Sequence, residues 1–202
     1  MRNNKLILAV VLQLVVFAAF GQQEFTSRPI GRGRYSLVAY AGGGMGYYLS
    51  SAGAPGYLTP TLHRWNPAGT LRILWHPDHL LKAGWETGYV TFYSYDLKDS
   101  ASRSGKIALN AIPVLLEFSM SLKNRFNIFA GSGVYFLRTR LNYEGAVSSN
   151  KLSVGWMAAA SYIQPLGKRT GLGTEVKWFY AAETSNGTLY GQLQLVWRFL
   201  EW

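Results

Sequence analysis

The sequence predicts an all-β fold: an eight-stranded antiparallel up-and-down transmembrane β-barrel, preceded by a cleavable signal peptide. Eight segments alternate apolar and polar residues with the period of two that a β-strand requires. Hydrophobic residues make up 49% of the 202-residue chain and aromatic residues 15%, whereas charged residues make up only 15%. The chain also has 22 glycines, many of them within the strand-like segments. This combination is typical of membrane barrels, which expose an apolar belt with aromatic girdles to lipid.

The first 21 residues have the pattern of a secretory signal peptide. Arg2 and Lys5 supply positive charge, residues 6–20 form an apolar run, and Ala19-Phe20-Gly21 provides a small-x-small cleavage site. The run is shorter than the roughly 20 residues that a membrane-spanning helix needs. We therefore expect a signal peptide over 1–21, a flexible lead-in over 22–34 and a barrel over 35–202.

Cysteine content and charge narrow the chemistry. The chain contains no cysteine, which excludes disulfides, thiolate catalysis and cysteine-ligated metals. The formal net charge is +10, of which Arg2 and Lys5 supply two charges. A basic chain can bind nucleic acid, but an exported chain without a basic helix suits anionic lipid headgroups better. We expect no nucleic-acid partner, no cofactor and no metal, and a location in the bacterial outer membrane.

The strands follow one another with connections of alternating length. We predict strands over residues 35–49, 69–76, 80–95, 105–121, 125–141 and 151–163, and a final hairpin within 168–202. Their outward phase is marked, in chain order, by Leu37, Tyr47, Ile73, Trp75, Trp85, Tyr93, Phe118, Phe136, Trp156, Trp178 and Trp197. Short turns at 77–79, 122–124 and 164–167 alternate with longer connections at 50–68, 96–104 and 142–150. In membrane barrels the short turns face the periplasm and the longer loops face outside.

Two turns predict the pairing of charged residues. Asn186-Gly187 is a strong signal for a two-residue hairpin turn, which would place Glu175 opposite Arg198. A three-residue turn at 77–79 would place Arg72 opposite Gly84. Both registers keep the apolar side chains of neighbouring strands on one face.

The fourth and fifth strands contain residues that break the simple alternation. Pro113 interrupts the ladder of the fourth strand, and Asn110 falls on its outward side. The phase of this strand rests on placing Glu117 inward. In the fifth strand Arg138 and Arg140 share the outward phase, but they lie at its far end, where they can reach the level of lipid headgroups.

An energetic argument decides which face meets lipid. With apolar residues outward, the charged residues of the strands point into the lumen and form an ionic network of Arg72, Lys82, Glu86, Glu117, Glu175, Lys177 and Arg198. In the opposite phase each of the four cations would cost roughly 2–4 kcal/mol at the bilayer midplane. Their sum, about 8–16 kcal/mol, would offset the whole stability of an ordinary domain, which is about 5–15 kcal/mol. A soluble barrel would have to fit the tryptophans into one narrow interior, so we predict the lipid-outward phase.

Over about residues 35–199 the chain resembles the small outer-membrane β-barrel families of OmpA and OmpX type. The resemblance rests on the alternating strands, the inward glycines and charges, and a last strand that ends LQLVWRF. That ending is similar to the insertion signal of these families, with Leu195, Trp197 and Phe199 as its outward residues. Trp202 has the opposite parity to this signal. The resemblance implies a lipid-embedded barrel that the barrel-assembly machinery inserts.

The resemblance does not define a function, because one fold serves many functions. We expect a structural or surface-interaction role without enzymatic activity, with outer-membrane lipid and lipopolysaccharide as partners. Arginines near the external rim suit lipopolysaccharide phosphates, which arginine binds bidentately, although ordinary solvated loops explain them equally well. These arginines are Arg64, Arg103, Arg138 and Arg140. The alternatives are an accessory subunit of a larger transport or secretion complex with a partner membrane protein, a narrow channel, and a lipid A-modifying enzyme.

The three histidines provide the test of the enzymatic alternative. They are His63, His76 and His79. Small barrels with enzymatic activity place a histidine beside a serine and an acidic residue near the membrane rim. Ser94, Asp96 and Glu183 are predicted near the external rim, but the sequence places no Ser–His–acid group on adjacent strands.

Overall fold

A computed structural model describes residues 35–49, 62–77, 80–98, 104–123, 125–142, 146–184 and 187–202. The predicted signal peptide and lead-in, together with Arg103 and His79, lie outside these residues. Nine strands are present: β1 Ser36–Tyr48, β2 Leu62–His63, β3 Trp65–His76, β4 Leu81–Lys98, β5 Ser104–Lys123, β6 Phe126–Asn142, β7 Ala146–Pro165, β8 Thr170–Ala181 and β9 Gly187–Glu201. No helix among the described residues is long and apolar enough to cross a membrane.

The strands form one closed antiparallel barrel. Each long strand pairs with its neighbours in the chain, and β9 returns to pair with β1. The two-residue β2 pairs with β4, as β3 does, so β2 and β3 occupy one position interrupted at Arg64. The barrel therefore has eight strand positions, which confirms the predicted fold class. Backbone hydrogen bonds between Tyr35 and Trp202 join the two ends of the barrel segment, and we call this end periplasmic.

Side-chain exposure confirms the predicted outward phase of the barrel. Trp85 is 62% exposed and Leu195 52%, whereas Arg72 is 2% exposed. The exposed belt runs around the whole barrel and includes Ile73, Trp75, Trp85, Phe118, Phe136, Leu152, Trp156, Val176, Trp178, Leu193, Leu195 and Trp197. An apolar outer belt rich in aromatic side chains, with charged side chains buried inside the barrel, is what a hydrocarbon environment favours.

The predicted register of the last hairpin is wrong. Glu175 lies opposite Gln192 rather than Arg198, and Tyr180 pairs with Gly187. The strand β8 ends at Ala181, and a turn of 3-10 helix over Ala182–Thr184 lengthens the connection. Because the register moves by an even number of residues, every side chain keeps its predicted face.

Gly187 explains why the turn signal misled the prediction. A Cβ atom on this residue would lie 1.5 Å from Nε1 of Trp178. Glycine is therefore required here by the indole ring that packs across it, and it lies within β9 instead of forming a two-residue turn. Glycine serves both purposes, tight turns and close approach, and sequence alone does not separate them.

The β3–β4 hairpin also differs from the prediction. Arg72 lies directly opposite Glu86 rather than Gly84. The reason is a longer turn, since β3 ends at His76 and β4 begins at Leu81. The shift again preserves the faces, but it converts a diagonal arrangement of Arg72 and Glu86 into a direct cross-strand pair.

Strands at the external end are longer and less regular than predicted. β3 begins at Trp65 and β7 at Ala146, inside segments predicted as loops. A bulge between Thr91 and Tyr93 interrupts the pairing of β4 with β5. Tyr93 was predicted to face lipid, but beyond the bulge it is half-buried against the barrel core. A bulge changes the phase of the strand that follows it, which alternation alone cannot reveal.

An aromatic layer fills the external half of the lumen. The ring of Phe179 lies 6.1 Å from that of Tyr135 and 5.5 Å from that of Tyr190, both edge-on, and Phe92 lies 6.3 Å from Tyr135. Tyr190 Oη donates a hydrogen bond of 2.9 Å to the Thr91 carbonyl. We call Phe92, Tyr135, Phe179 and Tyr190 the aromatic layer.

Candidate functional site

Arg72 occupies the middle of the lumen, between the aromatic layer and the periplasmic end. Its guanidinium contacts three carboxylates: Nη2 to Glu86 at 2.5 Å, Nε to Glu117 at 2.7 Å and Nη1 to Glu175 at 2.8 Å. Alternation places Arg72 inward on β3, and the direct pair with Glu86 follows from the β3–β4 register. The planar fork of arginine, with five donors, suits several carboxylates at once.

Lys177 completes the group from the opposite wall. Its Nζ lies 2.7 and 2.8 Å from the two carboxylate oxygens of Glu86 and 2.8 Å from Glu175. In the order of strands around the barrel, β4 and β8 lie opposite each other. The contact between Glu86 and Lys177 therefore spans the lumen. We call Arg72, Glu86, Glu117, Glu175 and Lys177 the ionic cluster.

Neighbouring side chains hold the ionic cluster in place. Gln192 donates a hydrogen bond of 2.6 Å to Glu175, and its amide also bonds to the Thr70 hydroxyl at 3.0 Å. The Arg72 guanidinium carbon lies 4.0 Å from the centre of the Phe129 ring and 5.5 Å from that of Tyr40. These stacked rings add cation–π attraction to the ion pairs. The sequence contains one indication of these supporting residues, namely that alternation points their side chains inward. That indication did not distinguish them from the other lumen residues.

The charges of the ionic cluster do not balance. Two cations face three carboxylates, and all five side chains are 0–2% exposed. Glu117 contacts Arg72 through Oε2, whereas its Oε1 has no hydrogen-bond partner among the described residues. Glu117 is thus the most weakly held member of the cluster.

Two residues predicted for the ionic network lie apart from its carboxylates. Lys82 donates a hydrogen bond of 2.6 Å to the Ser121 hydroxyl, nearer the periplasmic end. Arg198 lies opposite Val38 on β1 and is six residues along β9 from Gln192, the residue that lies opposite Glu175. The corrected register of β8 and β9 is the reason, because it moves Arg198 away from Glu175 towards the end of the barrel.

The rim arginines occupy different surroundings. Arg138 and Arg140 are exposed on the outer face of β6. Arg64 lies at the interruption between β2 and β3, with its guanidinium carbon 6.0 Å from the centre of the Tyr47 ring. The structure therefore brings Arg138 and Arg140 together and leaves Arg64 on a different side of the barrel.

The prediction that no Ser–His–acid group lies on adjacent strands is wrong. His63 on β2 pairs directly with Ser94 on β4, and its Nε2 lies 2.9 Å from the Asp96 carboxylate. The prediction failed because the segment containing β2 was taken as a loop. Catalysis also needs the serine hydroxyl to meet the imidazole, but Ser94 Oγ donates to Asn66 Oδ1 at 3.2 Å. The group lacks an activated nucleophile.

Among the residues that the structure describes, the other titratable groups form no metal site. Within the described residues, no three or more His, Asp or Glu side chains are arranged to hold a metal ion. His76, at the end of β3, lies 3.4 Å from the Tyr40 hydroxyl through its Nε2.

The C-terminal residues show how the two parities of the last strand coexist. Leu195 and Trp197 are exposed on the outer face, and the ring of Phe199 lies 5.8 Å from that of Trp197. A bulge in the pairing of β1 with β9 lets Val38 pair with Arg198 and Leu37 with Leu200. Phe199 is the extra residue, so Leu200 and Trp202 return to the exposed side.

Comparison with known proteins identifies the architecture. No protein-family model and no curated protein sequence matches the chain. Among solved structures, the chain is similar to Neisserial surface protein A, with a TM-score of 0.51 and 11% identity over 83% of this chain and 99% of that one. It is also similar to the attachment invasion locus protein Ail of Yersinia pestis, with a TM-score of 0.51 and 7% identity over 84% of this chain and 98% of that one.

At identities this low, the similarity shows a shared fold and no more, and the apolar outer belt is consistent with that fold. The resemblance to OmpA and OmpX types inferred from the strand pattern is confirmed at this level. The closed barrel and these similarities together show that the chain has the fold of the small eight-stranded outer-membrane β-barrels.

Proposed function

We propose that this protein is a non-conducting, non-enzymatic barrel of the outer membrane with a structural or surface-interaction role. The ionic cluster plugs its lumen. The observation that carries the proposal is the contact of Lys177 with Glu86, at 2.7 and 2.8 Å, between opposite walls. Arg72 adds a second crossing from β3 to Glu175 on β8. A passing ion would have to separate charges that are buried and paired, which is strongly unfavourable.

The aromatic layer supports the same proposal with a different chemistry. Its rings pack edge-on in the external half of the lumen, and all four of its members are fully buried. Glycine at position 46 makes room for the Tyr190 ring, because a Cβ atom there would lie 2.1 Å from that ring. Apolar constrictions oppose conduction by excluding water. Two consecutive layers, one ionic and one aromatic, therefore act against a channel role.

We also propose that the last strand is the signal for insertion. Leu195, Trp197 and Phe199 present outward aromatic and apolar side chains at the periplasmic end, where the barrel-assembly machinery would reach them during insertion. The bulge at Phe199 supports this assignment, because it returns Leu200 and Trp202 to the outer face on which Leu195 and Trp197 lie.

Single-channel recording of the purified barrel in planar bilayers tests the sealed lumen. We expect the wild-type protein to give no stable openings, because both layers block the lumen. A variant that truncates two members of each layer, Glu86→Ala/Lys177→Ala/Phe179→Ala/Tyr190→Ala, serves as the positive control and is expected to conduct. The heat-dependent shift in gel mobility verifies that each protein is folded. Stable openings of the folded wild-type barrel would overturn the proposal.

A further inference from the structure

The outer face of β5, β6 and β7 has a row-by-row arrangement at its external end. Pairing places Ala108, Arg140 and Ser148 in one row across the three strands. The row below it contains Asn110, Arg138 and Asn150, and Lys106 lies opposite Asn142 in the row above. Arg140 is thus flanked by two small side chains and Arg138 by two amides.

Apolar rows follow immediately below. Ile112, Phe136 and Leu152 form the next row, and Val114, Val134 and Val154 the one after it. Ile112 is 46% exposed, Phe136 52% and Leu152 60%. The surface therefore changes from cationic to apolar over two residues along each strand, which marks the upper edge of the hydrocarbon layer.

A groove crosses this boundary. It has a volume of about 610 Å³ and is lined by apolar side chains, Ile112, Phe136 and Leu152, as well as by Asn110, Arg138 and Arg140. A second depression of about 330 Å³ adjoins it through Arg138 and Arg140 and is also lined by Lys106. The small residues Ala108 and Ser148 line this second depression, beside Arg140.

The groove is cationic along the part of the chain that the structure describes. None of the described residues that line it is an aspartate or glutamate. Among the described residues neither Arg138 nor Arg140 has an ion-pair partner, whereas the nearby Lys151 lies 3.4 Å from Glu183. Exposed arginines without a carboxylate partner are available to an external anion.

A buried polar residue belongs to the same groove. Asn110 is 7% exposed, and its Oδ1 accepts a hydrogen bond of 2.9 Å from the Thr91 hydroxyl. Because the oxygen is engaged, its amide nitrogen remains as a donor. A donor beside two guanidinium groups adds to the affinity for an oxyanion.

We propose that this groove binds a phosphorylated glycolipid of the lipid A class in the outer leaflet. The phosphate would lie between Arg138 and Arg140, because each guanidinium can donate two parallel, charge-assisted hydrogen bonds to it. The acyl chains would continue down the apolar rows that contain Phe136 and Leu152. The charge complementarity and the position at the hydrocarbon edge select an amphiphilic anion over a soluble one. The inference rests on the proposed residence in the outer membrane and does not depend on whether the lumen conducts.

Native mass spectrometry of the full barrel released from detergent micelles tests the inference, with bisphosphorylated lipid A as the probe. We expect the wild type to retain bound lipid A and the variant Arg138→Gln/Arg140→Gln to bind at least about tenfold more weakly. The matched control Lys168→Gln/Arg169→Gln makes the same charge change in the turn at the opposite end, and we expect unchanged binding. Lipid A with its phosphates removed is expected to bind the wild type as weakly as intact lipid A binds the groove variant.

Four results would overturn the inference. Full affinity of the groove variant would show that the arginines make no contact with the lipid, and equal loss in the control would show that net charge alone governs binding. Equal binding of dephosphorylated lipid A would assign recognition to the acyl chains. Competition by inorganic phosphate at the same affinity as lipid A would assign the arginines to a free anion. A conducting barrel that still loses lipid A on Arg138/Arg140 replacement would reject the sealed lumen alone.

Discussion

Arginine occurs in two opposite environments on this barrel. Inside, Arg72 is 2% exposed and holds three carboxylates within 2.8 Å. Outside, Arg138 and Arg140 are exposed and have no carboxylate partner among the described residues. The same side chain therefore acts as an internal cross-link in one place and as a free cationic group in the other.

The difference follows from where the partners are supplied. In the lumen, β4, β5 and β8 each direct carboxylates towards one guanidinium, so desolvation is offset by several charge-assisted bonds. On the outer rim, the neighbouring strands supply amides and small residues instead. We infer that the inner arginine contributes to the stability of the barrel, whereas the outer arginines contribute to binding.

Replacing Arg72 is expected to give the largest effect. The variant Arg72→Ala leaves three buried carboxylates with one remaining cation, and the loss of a buried partner typically costs about 3–5 kcal/mol. Arg138→Ala, the matched outer replacement, is expected to change the free energy of unfolding by no more than about 0.5 kcal/mol. Urea unfolding in phospholipid vesicles, followed by tryptophan fluorescence, measures both. Equal effects at the two sites would contradict the distinction between inner and outer arginines.

The carboxylates within the ionic cluster are expected to differ from one another. Glu86→Gln weakens bonds to both Arg72 and Lys177 and is expected to cost about 2–3 kcal/mol. Glu117→Gln removes the excess negative charge and disturbs one contact, so its cost is expected to stay below about 1 kcal/mol. The same unfolding measurement separates them. A larger loss for Glu117→Gln than for Glu86→Gln would show that the excess charge is compensated by groups outside the cluster.

The fold was predictable because its signals are periodic. Alternation placed Arg72, Glu86 and Glu175 inward and Trp85 and Trp197 outward, and burial agrees at each of these positions. The phase of a strand is inferred from side-chain chemistry repeated along its whole length, so one residue out of pattern does not change the prediction unless it forms a bulge, as before Tyr93. The opposite faces also differ by several kcal/mol for each charged residue.

Register and bulges were not predictable in the same way. The turn at Asn186-Gly187 was misread because the glycine is needed for the Trp178 ring, and β2 was missed because two residues carry no period. Both errors concern contacts between strands that are set by turn length. Turn lengths and strand bounds decide which residues lie opposite each other. The direct pair of Arg72 with Glu86 and the pair of His63 with Ser94 therefore became visible only in the structure.

Two glycines of β1 extend the comparison of inside and outside to side chains without charge. A Cβ on the inward Gly46 would meet the Tyr190 ring at 2.1 Å, whereas a Cβ on the outward Gly43 has nothing within 4 Å. Gly46→Ala must therefore displace a ring of the aromatic layer, and overpacking of this kind costs about 1–3 kcal/mol.

Gly43→Ala provides the matched control on the same strand. It adds a methyl group on the lipid face and reduces the freedom of the unfolded chain, so its effect is expected to be neutral or to stabilise by up to about 1 kcal/mol. Unfolding in vesicles measures both variants. If Gly46→Ala is destabilising, adding Tyr190→Phe should not restore stability, because the ring remains, whereas Tyr190→Leu should relieve part of the clash. Equal stabilities of Gly46→Ala and Gly43→Ala would show that the aromatic layer yields easily, and would remove it as a rigid barrier in the lumen.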